Sequence, residues 1–262
     1  MSFSFRRVCA IFLRNMMAER RNFMRLMDAV YWPVIDIILW GMTSRWISET
    51  KQNLPDFILI IMTGLIFWQV VMRVSYEISV GLLDEVFNKS FVTLFSTPLS
   101  LAEWMLGVML NGIIKTLFVL LFGSTVVWGL YALNIFDFGW MLIPFTMSLI
   151  IFGWITGLVG AACIVYWGSK VMSIPWAVAF FFAPLSAVYY PLEALPYWAQ
   201  AIAVWLPTPY IFEGMRTVIT MGIFPTRDFA MSIGLNGLYL AGALLLFKIM
   251  FEKSRARGFD RL

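Results

Sequence analysis

Six separate runs of this chain are each long and apolar enough to cross a lipid bilayer, and this sets the solvent before any motif is considered. A helix advances about 1.5 Å per residue and needs about 20 residues to cross the roughly 30 Å hydrocarbon slab. Lipid offers the backbone no hydrogen-bonding partner, so each run must satisfy its own amides as a helix. Of 262 residues, 61% are apolar and only 13% charged. A soluble domain of this size carries about 25% charged residues. The expected fold is therefore all-α integral membrane, one transmembrane domain over residues 1–262 with six spans and short loops.

The crossings are expected near 29–47, 57–82, 102–130, 140–167, 171–190 and 229–251. Residues 3–27 cannot be a span, since Arg6, Arg7, Arg14, Arg20, Arg21 and Arg25 would all enter lipid. On a helical wheel Phe5, Val8, Cys9, Phe12, Met16, Phe23 and Met27 gather on one side, with Arg7, Arg14, Arg21 and Arg25 opposite. That pattern predicts an interfacial amphipathic helix with arginines toward anionic headgroups. Glu19 and Arg20 break it, leaving one face to meet protein. Residues 82–100 are amphipathic and too polar to cross. Residues 184–209 hold Pro184, Pro191, Pro196, Pro207 and Pro209, which no single regular helix accommodates. Short re-entrant or interfacial helices are expected there.

Charge placement orients the scheme. With both termini cytoplasmic, the inner segments hold Arg6, Arg7, Arg14, Arg20, Arg21, Arg25, Lys89, Lys170, Lys248, Lys253, Arg255, Arg257 and Arg261, against Arg45, Lys51, Arg216 and Arg227 outside. Positive-inside topology explains the basic residues behind the net charge of +4, and no nucleic-acid partner is expected. A multi-pass protein of the bacterial cytoplasmic membrane is the expected location. Tyr31, Trp32, Trp46, Trp140, Trp167 and Trp205 fall at span ends, where aromatic belts form.

Little in the chain suits chemistry. Histidine is absent, and Cys9 and Cys163 have no metal-ligand or disulfide spacing. There is no GxxxxGK[ST] loop to cradle ATP phosphates. An enzyme is not expected, nor any cofactor on this chain.

Two segments carry more specific information. In residues 82–100, Phe87, Phe91, Leu94 and Phe95 make an apolar face at helical spacing, while Asp84, Glu85 and Lys89 are expected to stay solvated. This is either a lever for a peripheral motor or a surface helix resting on the membrane. The run Leu94-Phe95-Ser96-Thr97-Pro98-Leu99-Ser100, followed by Glu103, resembles the signature that closes the coupling helix in type-2 permeases of ATP-binding-cassette (ABC) transporters. A second run, from Tyr190-Pro191-Leu192-Glu193-Ala194-Leu195-Pro196-Tyr197-Trp198 through Leu206-Pro207-Thr208-Pro209-Tyr210 to Glu213 and Arg216, is similar to that family's region between the fifth and sixth spans. Leu206 stands where family members often have Asn.

The resemblance implies one half of an exporter. A second permease copy pairs with it, and two ABC ATPase subunits, carrying ATP and magnesium, dock on the coupling helices. Asp84, Glu85, Phe87, Phe91, Leu94, Phe95 and Pro98 then form the ATPase-coupling segment, and Pro191, Glu193, Pro196, Glu213 and Arg216 an outer gate over 190–216. Helix capping and ion pairing at the lipid–water boundary explain Glu193, Glu213 and Arg216 equally well. The cargo implied is amphipathic: a lipid-linked glycan, a lipid or a hydrophobic drug.

Charges inside spans are costly, about 2.5 kcal/mol or more at the bilayer centre, so they face protein or water. Arg73 and Glu77 lie four apart and can pair with each other or meet cargo. Lys115 has no partner in its own helix and either lines the path or snorkels. Asp36 is expected near the cytoplasmic interface, paired with an arginine of the N-terminal helix. Gly153, Gly157, Gly160 and Ala161 form a strip for close helix packing within the subunit. An ion-coupled secondary transporter is the competing reading, and it would need central carboxylates and internal repeats.

Overall fold

The computed structural model describes residues 3–20, 23–50, 57–171 and 173–257, and every regular element in them is helical. Four stretches are long and apolar enough to span: α3 (Phe57–Phe87), α5 (Leu101–Tyr131), α6 (Leu142–Trp167) with the 3-10 turns before it, and α10 (Thr226–Ala256). At 31 residues each, α3, α5 and α10 are about 46 Å long and overreach the slab. Helices of this length and composition mark a membrane-embedded protein.

The other two expected crossings look different. The first falls within α2 (Phe23–Thr50), which is continuous through Pro33 but carries charge along its length. The fifth is α7 (Ile174–Phe182), whose 9 residues cover only about 14 Å. Pro184 follows at once, and without an amide proton it cannot extend the ladder. A 3-10 turn at Pro184–Ser186 and a left-handed Ala187 (φ 54°) then swing the chain away. The proline-rich region continues as α8 (Tyr197–Ala203) and α9 (Pro207–Met221), as short helices were expected there.

The N-terminal helix is shorter than the wheel suggested. It is α1 (Phe5–Arg20), and Phe23 and Met27 already belong to α2; Arg21 and the Arg25 side chain lie outside the described residues. Residues 82–87 complete α3, so the separate helix expected over 82–100 reduces to α4 (Phe91–Ser96).

Helix α3 is the axis of the bundle, with Phe67, Val71, Val74 and Leu82 fully buried. Against it lies α6, brought close by the glycine strip. A Cβ built on Gly153 would sit 2.7 Å from Val74 Cβ, and one on Gly157 2.9 Å from the Ser75 carbonyl. Ser79 Oγ uses this proximity to donate to the Gly157 carbonyl at 2.9 Å. The strip therefore packs within the subunit, as expected. Polar staples join α6 to α10: Ser148 and Ser232 hydroxyls lie 2.8 Å apart, and Asn236 Nδ2 donates to the Ser148 carbonyl at 3.0 Å.

The bundle has two unlike ends. At one, Phe95 of α4 packs edge-on against Phe251 near the end of α10, with ring centres 5.4 Å apart. At the other, a Cβ on Gly64 would lie 2.6 Å from the Val188 carbonyl, and Trp140 meets Phe224. All six aromatic residues expected in the belts are exposed on the surface.

Candidate functional site

Helix α1 packs against the bundle. It lies along α5 in a parallel register with a constant offset of 96 residues: Arg7 meets Glu103 (103 − 7), Ile11 meets Gly107 (107 − 11) and Glu19 meets Lys115 (115 − 19). Val8 and Ile11 are the buried residues of α1. Phe5, Leu13 and Met17 point outward and are exposed. The expected orientation is thus corrected for two arginines: Arg7 and the still partly exposed Arg14 reach carboxylates of the bundle, while Arg6 and Arg20 stay exposed. An arginine beside a buried carboxylate gains a charge-assisted, directional bond that exposed headgroups offer only under solvent screening.

The registry creates a ladder of charge between α1, α3 and α5. At its deepest rung, Lys115 Nζ donates to Glu77 Oε1 at 2.5 Å and also to Glu19 Oε1. Asn111 Nδ2 adds weaker bonds to Glu19 (3.1 Å) and Glu77 (3.4 Å). Arg73 completes the shell, 3.9 Å from Glu77 Oε1. Of the three residues expected to line a path, Glu77 and Lys115 therefore pair with each other, and the expected Arg73–Glu77 pair is the looser contact. Lys115 neither snorkels nor stands alone.

The next rung is Arg14 with Glu85, whose second oxygen accepts from Ser90 Oγ at 2.5 Å. Glu85 is buried, contrary to the expectation that it stays solvated. Burial lowers the pKa of the Arg14 guanidinium from its ordinary value. Between these rungs opens a crevice of about 330 Å³, lined among others by Asn15, Tyr76, Glu77, Asp84 and Asn88.

The outermost rung explains the Leu94–Glu103 run physically. Ser100 and Glu103 cap α5 reciprocally: the Ser100 amide donates to Glu103 Oε2 at 2.8 Å, and the Glu103 amide to Ser100 Oγ at 3.3 Å. Glu103 Oε1 also accepts from the Ser4 amide at 2.6 Å, and Arg7 donates to the Pro98 carbonyl. No family model matches this chain, and no curated protein does.

The segment's apolar residues divide. Leu94 and Phe95 turn inward, Phe95 against Trp104 and Phe251, whereas Phe87 is exposed at the end of α3 and the Phe91 side chain lies outside the described part. Pro98 is exposed, and Asp84 is half-buried.

At the opposite end, Glu213 and Arg216 hold the broken chain in place. Glu213 Oε1 accepts from the Leu192 amide at 2.6 Å and from Arg216 Nη1 at 3.0 Å. Arg216 Nη2 reaches the carbonyls of Ala187 (2.5 Å) and Val188 (3.2 Å). Burial lowers the Arg216 pKa, and the Glu213 carboxylate pulls it back up. A second crevice of about 480 Å³ brings Pro191, Glu193 and Glu213 together with Tyr210 and Asp228. Pro196 is exposed at the start of α8 and does not line it.

Sequence reasoning missed the partners Arg7, Arg14 and Asn111. One signal was present: Arg7 to Glu19 and Glu103 to Lys115 are both steps of twelve residues (19 − 7 and 115 − 103) with opposite signs at each position. Two parallel helices carrying such a pattern can match at both places at once. Asp36 is also corrected as far as Arg6, Arg7, Arg14 and Arg20 go, Arg21 and the Arg25 side chain lying outside the described residues. It accepts from Gln69 Nε2 of α3 at 2.7 Å, and no arginine of α1 reaches it.

Proposed function

We propose that this chain is the membrane-embedded permease subunit of an ABC exporter, moving an amphipathic lipid-linked glycan, lipid or hydrophobic drug outward. Two copies pair, and two separate ATPase subunits supply the driving force. In this reading α2 and the broken 171–190 segment serve as the first and fifth of six crossings, and both termini are cytoplasmic in the cell membrane.

One observation carries the reading. The two segments with family-like sequence lie at opposite ends of the four spanning helices, the 94–103 run with Arg7 and Phe251, the 190–216 run with Trp68 in the first half of α3. A coupling element and an outer gate require that separation. The ladder supports it further, because α1, α3 and α5 are tied into one unit that a motor could move as a body.

Side of the membrane decides it. Asn88 is exposed in the turn between α3 and α4, and Cys9 and Cys163 can be replaced by serine to give a clean background. Asn88→Cys is expected to resist a membrane-impermeant maleimide in intact cells and to react after permeabilisation. Labelling from outside would overturn the reading, as would transport that follows an ion gradient with no ATPase present.

A further inference from the structure

Asp36 sits at the middle of α2, thirteen residues after Phe23 (36 − 23) and fourteen before Thr50 (50 − 36), about 20 Å from either end. The fold supplies a cation to each of the other buried carboxylates on α3 and α5: Lys115 to Glu77, Arg14 to Glu85 and Arg7 to Glu103. Asp36 is treated differently. Among the described residues no lysine or arginine pairs with it, and its one hydrogen bond comes from the Gln69 amide, on Oδ2. Oδ1 keeps its acceptor capacity, and the side chain is only half-buried.

Its surroundings suit a particular guest. One turn along the same flank of α2, Trp40 stacks on Tyr189 with ring centres 4.6 Å apart and planes within 11°. Stacking leaves this pair only its outer faces for a guest, and a ring face beside a carboxylate stabilises a cation through quadrupole and charge together. On the adjoining face Ile35 and Leu39 are 39% and 58% exposed, an apolar surface for a hydrocarbon tail or ring. In α2 read as a crossing, an ionised carboxylate without a counter-charge is costly; it is relieved by taking up a proton or by a cationic ligand.

From this we infer that Asp36, Gln69, Trp40 and Tyr189 form a binding site for lipophilic cations, an ammonium, phosphonium or guanidinium head with an apolar body. Gln69 orients the carboxylate, Asp36 supplies the counter-charge, and the Trp40–Tyr189 pair walls the head off from lipid. As a ligand site it needs α2 in the bilayer, whatever drives transport. As the cargo site of an exporter it rests on the reading above, and a binding assay without ATPase lets the two fail separately.

The test uses the full-length protein in neutral maltoside micelles, with radiolabelled tetraphenylphosphonium as probe and tetraphenylborate as its anion of matching shape. Wild type is expected to bind the cation saturably. Asp36→Asn, which keeps the Gln69 contact geometry, is expected to weaken binding about tenfold, equivalent to about 1.4 kcal/mol. Trp40→Leu is expected to weaken it severalfold with the charge retained. Tetraphenylborate should neither compete nor respond to Asp36→Asn. Equal cation binding by wild type and Asp36→Asn, with both monodisperse and equally helical, would overturn the assignment. So would competition by the borate as effective as by the phosphonium.

Discussion

Removing the Lys115 charge while keeping the length of its stem, as in Lys115→Met, tests the ladder at its deepest rung. The side chains of Glu77, Glu19 and Lys115 are 7%, 13% and 21% exposed, so solvent can screen little of the loss. Two carboxylates would be left facing each other with only Asn111 and the more distant Arg73 nearby. Stripping one partner from a buried pair costs about 3–5 kcal/mol, and Arg73 offsets part of this, which puts the loss at about 3 kcal/mol. At about 2–4 °C per kcal/mol, the thermal midpoint in detergent should fall by about 6–12 °C. The informative comparison is the triple variant Lys115→Met, Glu77→Gln, Glu19→Gln, which removes the stranded charges and keeps their shapes. It should recover most of the loss, since the penalty lies in the orphaned carboxylates and not in the missing bond. A midpoint unchanged within about 2 °C in the single variant, or no recovery in the triple, would refute the claim that this cluster holds α1 to the bundle.

Two further outcomes separate packing from partnership and test the opposite end. Phe87→Asp should leave the thermal midpoint where it is, because the ring is exposed, yet release a co-purifying ATPase; Phe95→Asp should lower stability by about 3 kcal/mol, because its ring packs on Trp104 and Phe251, and any loss of ATPase there follows from unfolding. Pull-down paired with a melting curve distinguishes them. Arg216→Ala should cost about 3 kcal/mol and speed proteolysis around residues 187–196, since Glu213 and two carbonyls lose their donor; Arg216→Lys should recover only part, as an ammonium cannot span both contacts.

Much of the architecture was legible without coordinates, because the governing quantities are local. Span length and composition identify α3, α5, α6 and α10 from hydrocarbon thickness alone. The clustered prolines foretell the breaks in 184–209, since a missing amide proton acts at its own position. The small residues Gly153 and Gly157 announce a close approach, although not that the neighbour would be α3.

Tertiary structure decided which charges meet. The pairing of Arg7 with Glu103 or Glu19 with Lys115 joins residues 96 apart, and periodicity within one helix carries no information about the register between two. Hence the wheel of α1 separates apolar from basic residues and still misjudges where Arg7 and Arg14 point. It also cannot foresee that Glu85 is buried or that Asp36 ends beside Gln69, Trp40 and Tyr189. The sequence by itself determines that this chain dissolves in lipid as helices and where those helices must fail, because both follow from the chemistry of successive residues. Only the packed bundle determines which ionisable groups are neutralised and which is left open, because a charge in low dielectric is governed by what lies within a few ångströms across space.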